Sequence, residues 1–229
     1  TVQDGSAPEI GKVTEAPNTV TYVYRKVVAV ETTTTTTGTV IVHYQDTEGN
    51  TIARDETDTD KVVVSTTVTK TEDGEVVSSE TTPSGATYDT SDDHKPGKIE
   101  KEGSTYVLVP SKTVGLETGE VVEGTTEVTY VYQLAKGDVV VNYVDESGNP
   151  ISGAETGGNT SVKDEDQADT GKDYNTTDKR PDTITTADGT KYTYVTVQDG
   201  SAPEIGKVTE APKTVTYVYR KVVAVETTT

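Results

Sequence analysis

Five residues, Val-Thr-Tyr-Val-Tyr, occur three times in this chain, at Val20–Tyr24, Val128–Tyr132 and Val215–Tyr219. Alternation puts Val128, Tyr130 and Tyr132 on one face and Thr129 and Val131 on the other. A period of two in β-branched and aromatic residues predicts a half-buried strand. Its threefold use predicts a strand that closes one module after another. The chain between the copies then reads as the body of each module.

Longer repeats set the boundaries. Residues 1–34 match residues 196–229 everywhere except Asn18, which is Lys213 in the second copy. Such near-identity marks gene duplication and predicts an array, of which this chain holds one unit and an overlap. A weaker repeat lies inside the unit. Val40, Val42, Tyr44, Asp46 and Gly49-Asn50 align with Val139, Val141, Tyr143, Asp145 and Gly148-Asn149, and Tyr88, Pro96 and Tyr106 align with Tyr174, Pro181 and Tyr192. The predicted order is the C-terminal part of a preceding module (1–31), a Thr-rich linker (32–37), module one (38–133), a short linker (134–136), module two (137–221) and the start of the next linker (222–229).

Thr32–Thr37 has no apolar face, so it reads as a stiff, extended linker or a glycosylation tract. Residues 1–31 carry an apolar strand with no evident partner. That predicts either fraying or strand exchange with another chain, where the segment could replace residues 196–226.

Composition agrees with sheets. The chain has no Phe, Met, Trp or Cys and little Leu, and its large apolar side chains are mainly Val, Ile and 13 Tyr. These fit a pleated surface, and no apolar run has a helical period, so the expectation is a mainly β fold with at most a short helix per module. Turn chemistry falls between the strands. Asp73-Gly74, in an insertion of module one, predicts an extra type I′ hairpin, and Glu102-Gly103 and Asp188-Gly189 predict later ones. The net charge of −19 repels phosphate backbones and anionic lipid, which argues against nucleic acid or a bare membrane as partner. Without Cys there are no disulfides or thiolate metal sites. No signal peptide or membrane-length apolar run is present, and the expectation is a piece of a longer protein.

Taken with the spacing, the residues resemble a known family. Val40-Ile41-Val42-His43-Tyr44-Gln45-Asp46, Tyr88, Gly103-Ser104-Thr105-Tyr106 and the closing strand form one pattern; Val139–Asp145, Tyr174, Gly189-Thr190-Lys191-Tyr192 and its closing strand form the second. This pattern is similar to the MucBP (mucin-binding protein) repeats of Gram-positive wall-anchored surface adhesins. The resemblance implies β-grasp, ubiquitin-like modules in an elongated rod. It also implies a parallel neighbour relation between Val40–Tyr44 and Val128–Tyr132. The function it implies is an extracellular stalk, anchored to the wall through regions outside this chain, with contact to host mucin glycans. The alternative is a pure spacer with no ligand of its own.

Candidate sites are few, and no enzyme is expected. His94 stands beside Asp92 and Asp93, but the sister module has Lys179-Arg180 there, and His43 aligns with Asn142. Both read as surface positions. Asp55, Glu56, Asp58 and Asp60, and Asp164, Glu165, Asp166 and Asp169, are acidic runs that could attract calcium. Neither has the spacing of a calcium loop, so solvated acidic loops are the main reading and no cofactor is expected. Tyr88 with Asp92, and Tyr174 with Asp178, are the glycan candidates, although both tyrosines suit core positions better. A Lys–Asn crosslink at Asn142 is not expected, because the opening strands lack a Lys suited to burial.

Overall fold

The computed structural model describes residues 1–223. The first repeat contains β1 (Ala29–Asp46), β2 (Glu56–Glu72), β3 (Glu75–Pro83), β4 (Thr87–Asp89), the single helical turn α1 (Thr90–Asp93), β5 (Lys98–Lys101), β6 (Ser104–Leu108), β7 (Thr118–Glu120) and β8 (Gly124–Leu134). The second contains β9 (Lys136–Asp145), β10 (Ser161–Asp169), β11 (Asp173–Asn175), β12 (Thr183–Thr185), β13 (Lys191–Val197), β14 (Ile205–Lys207) and β15 (Lys213–Lys221). The fold is mainly β, as composition requires. A four-residue 3-10 turn, Thr176–Lys179, takes the place of α1 in the second repeat.

The two sheets share one plan. Sheet one runs β3-β2-β1-β8-β6-β5 and sheet two runs β10-β9-β15-β13-β12. In each, the first and last long strands form a parallel pair at the centre, and every other pairing is antiparallel. Val42 stands opposite Val128 and Tyr44 opposite Tyr130; Val141 stands opposite Val215 and Tyr143 opposite Tyr217. The neighbour relation expected between Val40–Tyr44 and Val128–Tyr132 is therefore present. Small two-stranded ladders, β4–β7 and β11–β14, lie beside the main sheets.

Each core is the inner face of that central pair. Val40, Val42, Tyr44, Val128, Tyr130 and Tyr132 are buried together in the first repeat, with Ile52, Tyr88 and Val121. Val139, Val141, Tyr143, Val215, Tyr217 and Tyr219 are their counterparts, with Ile151, Tyr174, Ile184 and Val208. Burying a polar hydroxyl is costly unless it finds a partner. Every one of these core tyrosines reaches an acceptor, and the acceptors are carbonyls or hydroxyls of the loops. The tyrosines thus tie the loops to the sheet, a task Phe could not perform. At the start of each module, Gly38 and Gly137 are required for a different reason. A Cβ there would overlap the carbonyl oxygen of Val122 or Thr209.

Two boundaries differ from expectation. Thr32–Thr37 is not a free linker; it is part of β1, hydrogen-bonded to β2 from Thr32 opposite Thr69 to Thr37 opposite Val63. The insertion of module one supplies the missing partner. Its hairpin turns at Asp73-Gly74, both with positive φ (52° and 86°), as a type I′ turn demands. The run stays out of the core, as its lack of an apolar face requires, and gains cross-strand hydroxyl contacts such as Thr36 Oγ1 to Ser65 Oγ at 2.8 Å. The same ladder takes in Ala29, Val30 and Glu31, so the N-terminal segment ends earlier than residue 31. Of the stretch 222–229 read as the next linker, residues 224–229 lie outside the described residues.

The modules follow one another almost without a gap. Ala135 is buried between them; its N–H donates to the Thr105 carbonyl at 2.8 Å, and its carbonyl accepts from Thr170 N at 2.9 Å. The Thr170 hydroxyl accepts from Thr105 N at 2.9 Å and donates to the Thr105 carbonyl at 3.0 Å. The accessible surface is 14904 Å² for a 24.3 kDa chain, against ~10,000 Å² for a compact monomer of that mass. Small modules in series and the exposed segment before β1 both add to the surface.

Candidate functional site

Both modules carry a groove beside the helical turn that follows β4 or β11. Local chemistry sets each turn. Asp89 caps α1, its Oδ1 accepting from Ser91 N at 2.9 Å, and Asn175 does the same for Thr177 N at 3.0 Å. The core tyrosines hold the far end from beneath. Tyr44 donates to the His94 carbonyl at 2.8 Å and Tyr132 to the Pro96 carbonyl at 2.8 Å. In the sister, Tyr143 donates to the Lys179 carbonyl at 2.7 Å and Tyr219 to the Pro181 carbonyl at 2.9 Å. Burial pushes the Tyr44 and Tyr143 hydroxyls up to about 12, so they remain donors at neutral pH.

The groove of module one is lined by Tyr44, Arg54, Glu56, Asp92, Asp93, His94 and Lys95 and holds about 570 Å³. Its counterpart, lined by Tyr143, Glu155, Asp178, Lys179 and Arg180, holds about 330 Å³. Each has one cation pinned by a distant glutamate. Lys95 Nζ contacts both carboxylate oxygens of Glu117, at 2.7 and 2.8 Å, and lies 5.6 Å from the Tyr130 ring centre. Its hydrogen bond with Glu117 raises the ammonium above its ordinary range. Arg180 Nη1 contacts Glu204 at 2.6 Å, and its guanidinium sits 4.6 Å from the Tyr194 ring centre. Sequence reasoning missed these pairs because Lys95 and Glu117, or Arg180 and Glu204, meet only through the β4–β7 and β11–β14 ladders.

Of the residues singled out from sequence, Asp92 and Asp178 line the two grooves. Tyr88 and Tyr174 do not. They are 8% and 3% exposed, and their hydroxyls donate to the carbonyls of Leu116 and Pro203. Their rings pack against Gly119 and Gly206.

The acidic runs become strands with individual partners. Asp55 faces His43 Nδ1 at 3.0 Å, Glu56 pairs with Arg54 at 2.9 Å, and Asp58 accepts from the Thr59 hydroxyl at 2.8 Å; Asp60 is exposed. In the second run, Glu165 pairs with Lys172, Asp166 with Lys163 and Asp169 with Lys136, each at 2.5 Å. Asp164 is half-buried; burial, and then the charge of Asp178, raise its carboxyl above the usual range. Among the described residues, no three or more His, Asp or Glu side chains converge in a way that could hold a metal.

The histidines stand apart from each other's surroundings. His43 lies between Asp55 and Glu127, and His94 Nε2 is 3.9 Å from Asp58. Neither has a Ser or Thr hydroxyl as hydrogen-bond partner among the described residues, so no nucleophile is matched to a base there. What the grooves do offer is a carboxylate and a cation on a shallow surface.

Comparison with known proteins follows the same divisions. A family model described as MucBP domain matches residues 1–25, 39–133 and 138–220. The chain is 35% identical over 245 residues to the muramidase-released protein of Streptococcus suis, an alignment that takes in 96% of this chain and 16% of that protein. Two solved structures are more distant. SHIRT domains 3-4 from a streptococcal cell surface protein align at 10% identity and a TM-score of 0.29, over 82% of this chain and all (100%) of that one. The TIE protein of Bacillus anthracis aligns at 10% identity and a TM-score of 0.30, over 82% of this chain and 34% of that one. The matched segments take in the two tyrosine-anchored sheets together with residues 1–25, and the chain belongs to the MucBP domain family.

Proposed function

We propose that this chain is a load-bearing stretch of a cell-surface adhesin stalk, non-enzymatic, outside the cell and joined to the wall through regions beyond it. The observation that carries the reading is the central parallel pair. In module one the chain enters along β1 and leaves along β8, which are in register from Gly38 opposite Gly124 to Asp46 opposite Tyr132. A pull along the chain acts at opposite ends of that pair. It loads the whole row of hydrogen bonds in shear rather than opening them one by one. Module two repeats the arrangement from Val139 opposite Lys213 to Asp145 opposite Tyr219. Single-molecule stretching tests this: each module unfolds at a force above that of a helical bundle, and forces in the bundle range would contradict it.

The family's name supports mucin as the ligand class, and the paired grooves are the candidates for its contact. In this reading Asp92 and Asp178 accept hydrogen bonds from glycan hydroxyls, and Lys95 and Arg180 frame the contact. An array of mucin glycans tests it. Binding that is lost in the Asp92→Ala, Asp178→Ala double variant supports the grooves; a flat array leaves the stalk role alone.

A further inference from the structure

Modules one and two meet around a cleft that is separate from the two grooves. Its position follows from the sheet. β1 and β8 run parallel and end together, Asp46 opposite Tyr132. The turn after β1, residues 46–50, therefore stands at the end of module one from which the chain passes into β9. That turn, Tyr106, Gln133 and, from module two, Lys136 and Asp169 enclose about 380 Å³.

The polar groups of the cleft fall into two sets. Asp46 and Asp169 are already engaged. Asp46 accepts from Glu48 N, Asn50 N and Asn50 Nδ2, each at 2.9 Å, and Asp169 pairs with Lys136 at 2.5 Å. The Thr47 hydroxyl, Glu48 carboxylate, Tyr106 phenol and Gln133 amide line the same space without a hydrogen-bond partner among the described residues. All four can accept a hydrogen bond. Three carboxylates face one ammonium here, so the cleft favours a cation.

Module two shows which cation. There the position of Gln133 is Arg220, and that of Thr47 is Glu146. Arg220 Nε and Nη2 both donate to Glu146 Oε1, at 2.9 and 2.8 Å. A guanidinium thus lies against the turn that follows β9. In module one both members of that pair are neutral side chains, and Glu48 adds a carboxylate where the sister has Ser147. The turn is the same, but the chain supplies no guanidinium of its own.

We propose that the joint cleft binds an arginine side chain of a partner peptide, in the place that Arg220 takes in module two. The five N–H donors of a guanidinium match the acceptors of Thr47, Glu48, Tyr106 and Gln133. Its aliphatic stem suits the half-buried ring of Tyr106. Arginine is favoured over lysine because the acceptors are spread around a space rather than gathered at one point. A single exposed carboxylate contributes little, so selectivity lies in the number of acceptors and in enclosure by two modules. The inference is independent of the stalk and glycan readings.

Chemical-shift titration of the full chain with acetyl-Gly-Arg-Gly-amide tests it. The control is acetyl-Gly-citrulline-Gly-amide, which has nearly the same shape and no charge. The arginine peptide should shift the resonances of Thr47, Tyr106 and the Gln133 side-chain amide in a saturable way, and the citrulline peptide should not. Glu48→Gln removes a hydrogen bond to a charged group and should weaken binding about tenfold. The double variant Thr47→Glu, Gln133→Arg rebuilds the sister's ion pair in the cleft and should abolish the response. Glu146→Gln, at the corresponding turn of module two, should leave it unchanged. Shifts that are as large at the turn after β9 as in the cleft mean general attraction to a chain of charge −19 and overturn the inference. So do the absence of any shift, equal responses to the two peptides, or undiminished binding by the double variant.

Discussion

The hydroxyls of Thr90 and Tyr130 meet at 2.8 Å in the core of module one, and both side chains are fully buried. Thr90 Oγ1 also donates to the Glu117 carbonyl at 3.0 Å, which leaves its oxygen to accept from Tyr130. The pair ties the helical turn to the closing strand. Thr176 and Tyr217 form the same tie in module two at 2.7 Å.

The two partners should differ in what their loss costs. Tyr130→Phe removes a donor and leaves Thr90 with its carbonyl partner, a loss of about 1 kcal/mol. Thr90→Val strands a buried phenol, a cost of about 1–3 kcal/mol. Urea unfolding followed by two probes, one per module, checks the order and shows module two unchanged. Equal costs, or a loss shared by both modules, would refute the assignment.

Alkali should unfold the modules through their tyrosines. Burial raises the hydroxyls of Tyr44, Tyr143 and Tyr217 from 10.0 to about 12, and pushes those of Tyr132 and Tyr219 up as well. The neutral form is favoured in the folded state, so the folded protein holds more protons than the unfolded one above pH 10. Stability is then fully present below about pH 10 and falls as pH rises from about 10 through about 12. Tyrosinate absorbance recorded alongside circular dichroism should show a step that coincides with unfolding. Full ionisation before any loss of structure would contradict this.

The joint between modules should depend on a hydroxyl rather than on its surface ion pair. Thr170 is 2% exposed and makes two hydrogen bonds to Thr105 across the joint. Lys98 and Glu210 also bridge it at 2.6 Å, but both are about half exposed, and such pairs contribute little. Thr170→Val should let the modules tumble more independently in NMR relaxation, while Lys98→Ala should leave relaxation unchanged. The reverse ranking would move the joint's rigidity to the ion pair.

The extent to which the sequence disclosed all this follows from the range of the forces involved. Alternation in Val40–Tyr44 and Val128–Tyr132 and the Asp73-Gly74 turn are local signals, and they determined those strands and that hairpin. The same near-neighbour logic failed for Thr32–Thr37. Its partner strand lies some thirty residues away, from Val63 to Thr69, and nothing in a run of threonines announces it. The grooves depended on tertiary structure still more. Asp92 was visible as a polar turn residue, but Lys95 meets Glu117 only once β4 and β7 pair, and the Tyr88 ring turns inward against Gly119 across the same ladder. Patterns of burial are written along the chain because each strand must hide one face. Which side chains converge is decided by packing between segments far apart in sequence.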